Sequence, residues 1–184
     1  MYKRQEFVSS SERFQDLTNG YLEPGLLGVD RWLGIIGAWT IARQALCVID
    51  AGTAVKADAV DAAGQHLGGL IVPGIHLMRE SLLKRTSDIA KAAERSTPSL
   101  AGVLANNTIG AVSRGSVFAL AGMTDLVVDF VAQHVGAKPK LFITGGDAPL
   151  ITGAMRLPGE MVPDLVLRGL AAVAAAPRNA ETDS

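Results

Sequence analysis

Three short segments place a glycine beside a carboxylate at the boundary of an apolar run. They are Gly28-Val29-Asp30-Arg31, Asp50-Ala51-Gly52-Thr53 and Thr144-Gly145-Gly146-Asp147. Glycine lets a ligand approach the backbone closely, and loop N–H groups beside a hydroxyl bind anions such as phosphate. A carboxylate at such a point can hold a cation or take a proton from a hydroxyl that attacks phosphorus. Together the three segments predict a nucleotide site.

Each segment also has an ordinary structural interpretation. Asp-x-Gly-Thr is a frequent hairpin turn, because turn chemistry favours these residues. Asp30 followed by Arg31 is equally consistent with a capped helix whose arginine lies in solvent. We interpret His66 and His76 as structural residues, since the histidines and the single cysteine share no zinc-site spacing. No Gly-Lys-Ser/Thr follows a glycine-rich turn, which excludes a P-loop.

The elements that must position these segments alternate between strands and helices. Apolar runs at 45–49, 54–60 and 66–72 are separated by turn residues and predict an antiparallel meander. Helices are predicted at 30–42, 74–85, 107–120, 125–134 and 165–175, with a strand at 141–144 followed by a short helix, and another short helix around 11–17. We expect an α/β chain with its glycine-rich turns at strand ends, where ligands gather in such sheets.

Composition narrows the class of protein. The chain has 184 residues, of which 48% are hydrophobic and 19% charged, so it is expected to be globular. A net charge of −1 offers no basic excess, and no nucleic-acid partner is expected. The single Cys47 excludes an internal disulfide and suits a reducing compartment. No apolar run of membrane-spanning length lacks a charge or a break, so we expect a cytoplasmic protein without a membrane partner.

The order and spacing of six motifs resemble those of type III pantothenate kinase, over roughly Tyr21 to Val173. In chain order the motifs are Tyr21 with Gly28-Val29-Asp30-Arg31-Trp32, Asp50-Ala51-Gly52-Thr53-Ala54-Val55, Gly68-Gly69 with Pro73-Gly74, Thr108 with Gly115, Thr144-Gly145-Gly146-Asp147, and Pro163-Asp164-Leu165-Val166-Leu167-Arg168-Gly169-Leu170. Six coordinated motifs are far more specific than any one of them.

This resemblance implies a fold and an activity. The family belongs to the acetate and sugar kinase/Hsp70/actin superfamily, so a ribonuclease H-like, actin-like ATPase fold is expected, with a mixed sheet flanked by helices. Its members transfer the γ-phosphate of ATP to the hydroxyl of pantothenate and form 4'-phosphopantothenate, the first step of coenzyme A biosynthesis. Mg²⁺, a monovalent cation (K⁺ or NH₄⁺) and a homodimer with pantothenate near the subunit boundary are also implied.

The resemblance assigns roles to particular residues. Asp30 is the implied general base, and Asp50 is the implied ligand of the monovalent cation. Arg31 is expected to keep Asp30 ionised and to hold either the carboxylate of pantothenate or a developing charge. The implied contacts are Tyr21, Gly28, Val29, Asp30, Arg31 and Thr108 with pantothenate, and Gly52, Thr53, Gly145 and Gly146 with the nucleotide.

Two features depart from the family pattern. Family members open with a strand and an Asp-x-Gly-Asn-Thr phosphate loop, and nothing similar precedes Tyr21. We therefore expect 1–44 to be the remnant of a truncated first domain, 45–176 a second actin-like domain and 177–184 a frayed tail. An open sheet edge near 45–60 and little turnover are also expected. Lys56 replaces a small or hydroxylated residue and is expected to aid ATP binding or to point outward.

An alternative function belongs to a different class. A chain without the first phosphate loop would be able to bind ligands without turning them over. The alternative is therefore a non-catalytic accessory or regulatory protein derived from the kinase.

Overall fold

The computed structural model describes residues 7–85 and 102–177. In chain order the elements are β1 (Arg13–Phe14), β2 (Leu17–Thr18), a 3-10 helix (Pro24–Leu26), α1 (Val29–Ala42), β3 (Leu46–Ala51), β4 (Ala54–Val60), β5 (His66–Pro73), α2 (Ile75–Arg85), α3 (Thr108–Val135), β6 (Lys140–Thr144), α4 (Ala148–Thr152), β7 (Glu160–Met161) and α5 (Leu165–Ala175). The predicted tail beyond Pro177 lies outside the described residues.

The main sheet has five strands in the order β5-β4-β3-β6-β7. Strand β4 is antiparallel to both β3 and β5, whereas β6 is parallel to both β3 and β7. Counted along the chain, this is the order 3-2-1-4-5 with the second strand reversed, which is the ribonuclease H-like arrangement. The predicted fold class, a mixed α/β sheet flanked by helices, is confirmed.

Several sequence-based expectations about elements are wrong. The short helix expected around 11–17 is instead the β1–β2 hairpin, whose turn residue Gln15 takes a φ of 55°. The two helices expected at 107–120 and 125–134 form one helix, α3, because Leu120, Ala121 and Val128 on both sides of the expected break are buried against the sheet. No open edge lies at 45–60, since β3 and β4 are each paired on both sides.

The sheet separates two cores. Alternate residues of β3 point to opposite faces, so Leu46 and Val48 pack with α1 while Cys47 and Ile49 pack with α3. We call these sides the α1 face and the α3 face. Because a helix covers each face, polar groups reach solvent mainly at the ends of the strands.

Helices α1 and α5 lie together on the α1 face and touch through glycines. A Cβ on Gly37 would overlap the carbonyl oxygen of Leu165, and a Cβ on Gly169 would overlap the carbonyl oxygen of Leu33. Helix α1 thus packs directly on the strands and on the C-terminal helix. The division of the chain into 1–44 and 45–176 stays a prediction.

Helix α3 is long and apolar enough, by length and composition, to cross a membrane. Its buried side includes Val117, Leu120 and Val128, which pack against the α3 face of the sheet. It also carries Asp125, which is buried and accepts hydrogen bonds from the backbone of Arg156 and Leu157. Helix α3 therefore packs as a core helix against the sheet.

Candidate active site

Two of the predicted segments meet because β3 and β6 are parallel neighbours that end at the same edge of the sheet. Asp50 is opposite Thr144 in the register. The Asp147 N–H donates to the Ala51 carbonyl with an N···O distance of 3.0 Å. Gly145 has a φ of +95°, and a Cβ there would overlap the backbone of Ala51. Glycine is therefore required at position 145 to bring the two turns together.

Other residues of these turns are open to a ligand. Gly146 is exposed, and nothing lies within 4 Å of the place where a Cβ would stand. Thr53 is exposed, while its carbonyl accepts a hydrogen bond from the Gly74 N–H at 2.9 Å. The Gly52 Cβ position is 3.7 Å from the Ala54 oxygen, which is an ordinary contact. Neighbouring protein atoms thus do not require glycine at position 52, and the Gly52 N–H donates to the Ala54 carbonyl at 3.3 Å.

The third segment joins the first two through Lys56. This lysine is directly opposite Asp50 in the β3–β4 register, so both side chains project from the α1 face. Its Nζ lies 2.8 Å from Oδ2 of Asp50 and 2.8 Å from Oδ2 of Asp30. The expectation that Lys56 points outward is wrong, because its ammonium bridges two carboxylates that are far apart in the chain.

Asp30 is an accessible carboxylate in the first turn of α1, with a side chain that is 50% exposed. Its Oδ1 accepts a hydrogen bond from the Arg31 N–H at 2.9 Å. Partial burial acts to raise the pKa of Asp30, but the hydrogen bond and charge of Lys56 and the backbone N–H outweigh it, so the pKa is lowered. Asp30 is therefore ionised at neutral pH and retains lone pairs for another donor.

Arg31 points away from Asp30 and is only 6% exposed. Its Nε and Nη2 donate to the two carboxylate oxygens of Asp58 at 2.9 and 2.6 Å, and Nη1 donates to the Tyr21 hydroxyl at 2.6 Å. Burial acts to lower the pKa of Arg31, but Asp58 and Tyr21 raise it overall. Two expectations about the Arg31 side chain are wrong: it is not in solvent, and the Asp30 carboxylate is stabilised by Lys56 and the Arg31 backbone N–H rather than by the guanidinium.

His66 completes what we call the buried network: Tyr21, Arg31, Asp58 and His66. The His66 Nδ1 accepts from the Gly20 N–H at 3.3 Å, so Nε2 carries the proton that it donates to Asp58 at 3.0 Å. The Tyr21 ring stacks on the imidazole at a centroid distance of 6.1 Å. A Cβ at position 69 would overlap both Asp58 and Arg31, which explains Gly69 of the Gly68-Gly69 motif.

Sequence reasoning missed Asp58 and underestimated His66. A signal was present in β4, where Lys56 and Asp58 alternate with the apolar Val55, Ala57 and Ala59. A strand that places charges at every second position has one polar face, even where both faces are covered. The partner of those charges was not readable, because Arg31 and Asp58 are 27 positions apart.

The remaining predicted pantothenate contacts lie in two places. Gly28 precedes α1, and Val29 is its first residue and 41% exposed. Thr108 is the first residue of α3 and lines a groove with Met78 and Gly115. The structure therefore places Thr108 between α2 and α3, whereas Gly28 and Val29 are beside Asp30.

A dedicated metal centre is not evident in the described part of the chain. Across 7–85 and 102–177, no group of three or more His, Cys, Asp or Glu side chains is placed to hold a metal ion. Two acidic side chains at this site, Asp30 and Asp50, have the Lys56 ammonium between them.

A family model described as type III pantothenate kinase matches residues 2–129. The chain belongs to the type III pantothenate kinase family. A curated relative of that name from Nitrosococcus oceani is 39% identical over 174 residues, which cover 92% of this chain and 64% of the relative. One from Pseudomonas putida is 44% identical over 156 residues, which cover 83% and 61%. The chain thus spans just under two thirds of the length of these kinases.

Similarity to solved structures is weaker. An activator of 2-hydroxyisocaproyl-CoA dehydratase from Clostridium difficile, with bound ADPNP, is 16% identical, with a TM-score of 0.42 over 79% of this chain and 65% of that one. At this level the likeness adds nothing about function.

Proposed function

We propose that this chain carries the site of an ATP-dependent kinase that converts pantothenate to 4'-phosphopantothenate, the first step of coenzyme A biosynthesis. Family membership supports this function. The observation that carries it is the ionised, half-exposed Asp30 beside the two glycine turns that end β3 and β6. The buried thiol of Cys47 is compatible with a cytoplasmic location.

The glycine turns would receive ATP. Ligands in open α/β sheets bind outside the carboxyl ends of parallel strands, which is where Gly52, Thr53, Gly145 and Gly146 lie. Backbone N–H groups in such turns and the Thr53 hydroxyl are suitable donors to phosphate oxygens. Mg²⁺ would arrive bound to the ATP phosphates and supply charge neutralisation, as is usual for this ion.

Asp30 would act as the general base. The pantothenate hydroxyl is a weak nucleophile at neutral pH, so a carboxylate that accepts its proton helps the oxygen to attack phosphorus. Lys56 and the Arg31 N–H leave acceptor capacity on both Asp30 oxygens and keep the carboxylate ionised. The free enzyme therefore holds the base in its active protonation state.

Pantothenate would lie along the N-terminus of α1, against Tyr21, Gly28 and Val29. Arg31 is a positioning residue in this proposal, since its guanidinium is committed to Asp58 and holds the Tyr21 hydroxyl. Thr108 lies in the groove between α2 and α3, so we assign it to the site of a second subunit in a homodimer. This assignment agrees with the subunit-boundary position that the family resemblance implies.

The family's monovalent cation does not fit Asp50 in this chain. A cation at Asp50 Oδ2 would meet the Lys56 ammonium, which is 2.8 Å from that oxygen. Two positive charges at such a distance repel strongly when partly removed from water. No step of the proposed reaction is therefore assigned to K⁺ or NH₄⁺.

Titration calorimetry and a coupled phosphorylation assay test the proposal. The chain should bind both ATP–Mg²⁺ and pantothenate and produce phosphopantothenate at a low rate. Binding without product would instead support the non-catalytic accessory protein. If neither ligand binds to the folded chain, the proposed site is wrong.

A matched pair of variants tests whether Asp30 forms this site. Asp30→Asn should reduce product formation. The control Asp164→Asn, which alters an exposed carboxylate paired with Arg168, should not reduce it.

A further inference from the structure

The Lys56 ammonium stands between the carboxylates of Asp30 and Asp50. Strand β4 places Lys56 opposite Asp50, and the first turn of α1 brings Asp30 to the same nitrogen. Both N···O distances are 2.8 Å, and the lysine side chain is only 21% exposed. The ammonium group is therefore fixed in place by two ion pairs, unlike the ammonium group of an exposed surface lysine.

An alkylammonium can replace a monovalent metal ion at such a point. It carries the same single charge, is compact, and donates up to three hydrogen bonds to oxygen ligands. Unlike K⁺, it is tethered to the chain, so it is present at every salt concentration. Two of its three donors are used by the carboxylates, which leaves one for a ligand oxygen or water.

We propose that Lys56 is a built-in monovalent cation, and that this chain binds its ligands without K⁺ or NH₄⁺. The proposal rests on the proposed function only in assigning a cation to Asp50. Because Asp50 adjoins the Gly52-Thr53 turn, the charge of Lys56 is held beside that turn and would contribute to ATP binding. The lysine at position 56 would by itself remove the dependence on potassium, although the carboxylate of Asp50 is retained.

The first experiment measures thermal unfolding in KCl, NH₄Cl and tetramethylammonium chloride at equal ionic strength, without ATP or pantothenate. The midpoint of the unaltered chain should be the same in all three salts. Lys56→Thr vacates the position and leaves a hydroxyl, so its midpoint should rise by about 2–4 °C in K⁺ or NH₄⁺ only. The control Lys84→Thr removes a 73% exposed lysine of α2 and should show no cation response.

Two results would overturn the proposal. One is a K⁺-specific rise for the unaltered chain as large as that for Lys56→Thr. The other is the absence of any K⁺ response in folded Lys56→Thr, which would mean that there is no cation position to fill.

A direct measurement needs no variant and therefore does not depend on the folding of Lys56→Thr. Thallium(I) is a K⁺ substitute that is observable by NMR, and the unaltered chain should give no K⁺-displaceable thallium signal. Such a signal would contradict the proposal. Because neither experiment contains ATP or pantothenate, failure of the kinase assay leaves this inference intact, and failure here leaves the kinase assignment intact.

Discussion

The two faces of the central sheet use the same strands for different purposes. On the α3 face, β3 contributes Cys47, Ile49 and Ala51 to a core that is entirely apolar at these positions. On the α1 face, β3 contributes Leu46 and Val48 and then Asp50, which is 26% exposed on its side chain. On the α3 face, β3 therefore contributes only core residues. On the α1 face, it contributes core residues first and a residue of the candidate site at its end, within five positions.

This difference follows from where the covering helices begin. Helix α1 covers Leu46 and Val48 but begins at Val29, near the end of β3, so the last residue on that face is not sealed by apolar side chains. Charged groups there are held by other charged groups, namely Lys56 by two aspartates and Arg31 by Asp58. A single change should therefore have different consequences on the two faces.

The largest effect is expected on the rate of phosphorylation. Asp30→Asn preserves the size of the side chain but removes its basicity, and the rate should fall by about two to four powers of ten. Cys47→Ala on the α3 face should leave the rate near that of the unaltered chain, although the protein will be less stable. A coupled assay on both folded variants checks this, and equal losses would show that the site is not confined to the α1 face.

The second effect concerns stability and the buried network. Asp58→Asn leaves the Arg31 guanidinium buried without its counter-charge, and the free energy of unfolding should fall by about 3–5 kcal/mol. The control Asp129→Asn breaks an exposed pair between α3 and Arg156, and should have a much smaller effect because solvent screens that pair. Urea unfolding of both variants gives the comparison. A loss for Asp58→Asn as small as that for the control would mean that the network does not stabilise the α1 face.

The third prediction compares glycine substitutions in α1 and in α3, which lie on opposite faces of the sheet. Gly37→Ala forces a methyl group into the backbone of α5, which cannot move aside as a side chain can, and should cost about 1–3 kcal/mol. Gly122→Ala in α3 meets nothing within 4 Å and should stabilise the helix by about 0.5–1 kcal/mol. The midpoint of thermal unfolding should therefore fall for Gly37→Ala and rise for Gly122→Ala. Shifts of the same sign would contradict the close packing of α1 on α5.

The smallest effect concerns Cys47 on the α3 face. Burial raises the pKa of its thiol to about 12, against an ordinary value of 9.0. The folded protein should therefore react very slowly with iodoacetamide, and urea should restore fast labelling. Because the unfolded chain loses this proton first, stability should decrease as pH rises between these two values. Fast labelling of the native protein would show that this face opens readily.

Local patterns in the sequence determined much of the fold. The meander, the helix at 165–175 and the glycine turns were predictable because turn chemistry and apolar spacing are encoded within a few neighbouring residues. The order of motifs was enough to indicate the family. The glycine turns were also expected at strand ends, where ligands gather in such sheets.

Only the tertiary structure decided how the charges are paired. Asp30 and Arg31 are adjacent in sequence, yet one faces solvent beside Lys56 and the other is buried against Asp58. The sequence suggested that Arg31 would act on Asp30, because adjacency was the only proximity it could show. Successive residues of a helix point about 100° apart, and the register of β4 then selects a different partner for each. Pairing over such distances depends on packing, so it is not readable from neighbouring residues.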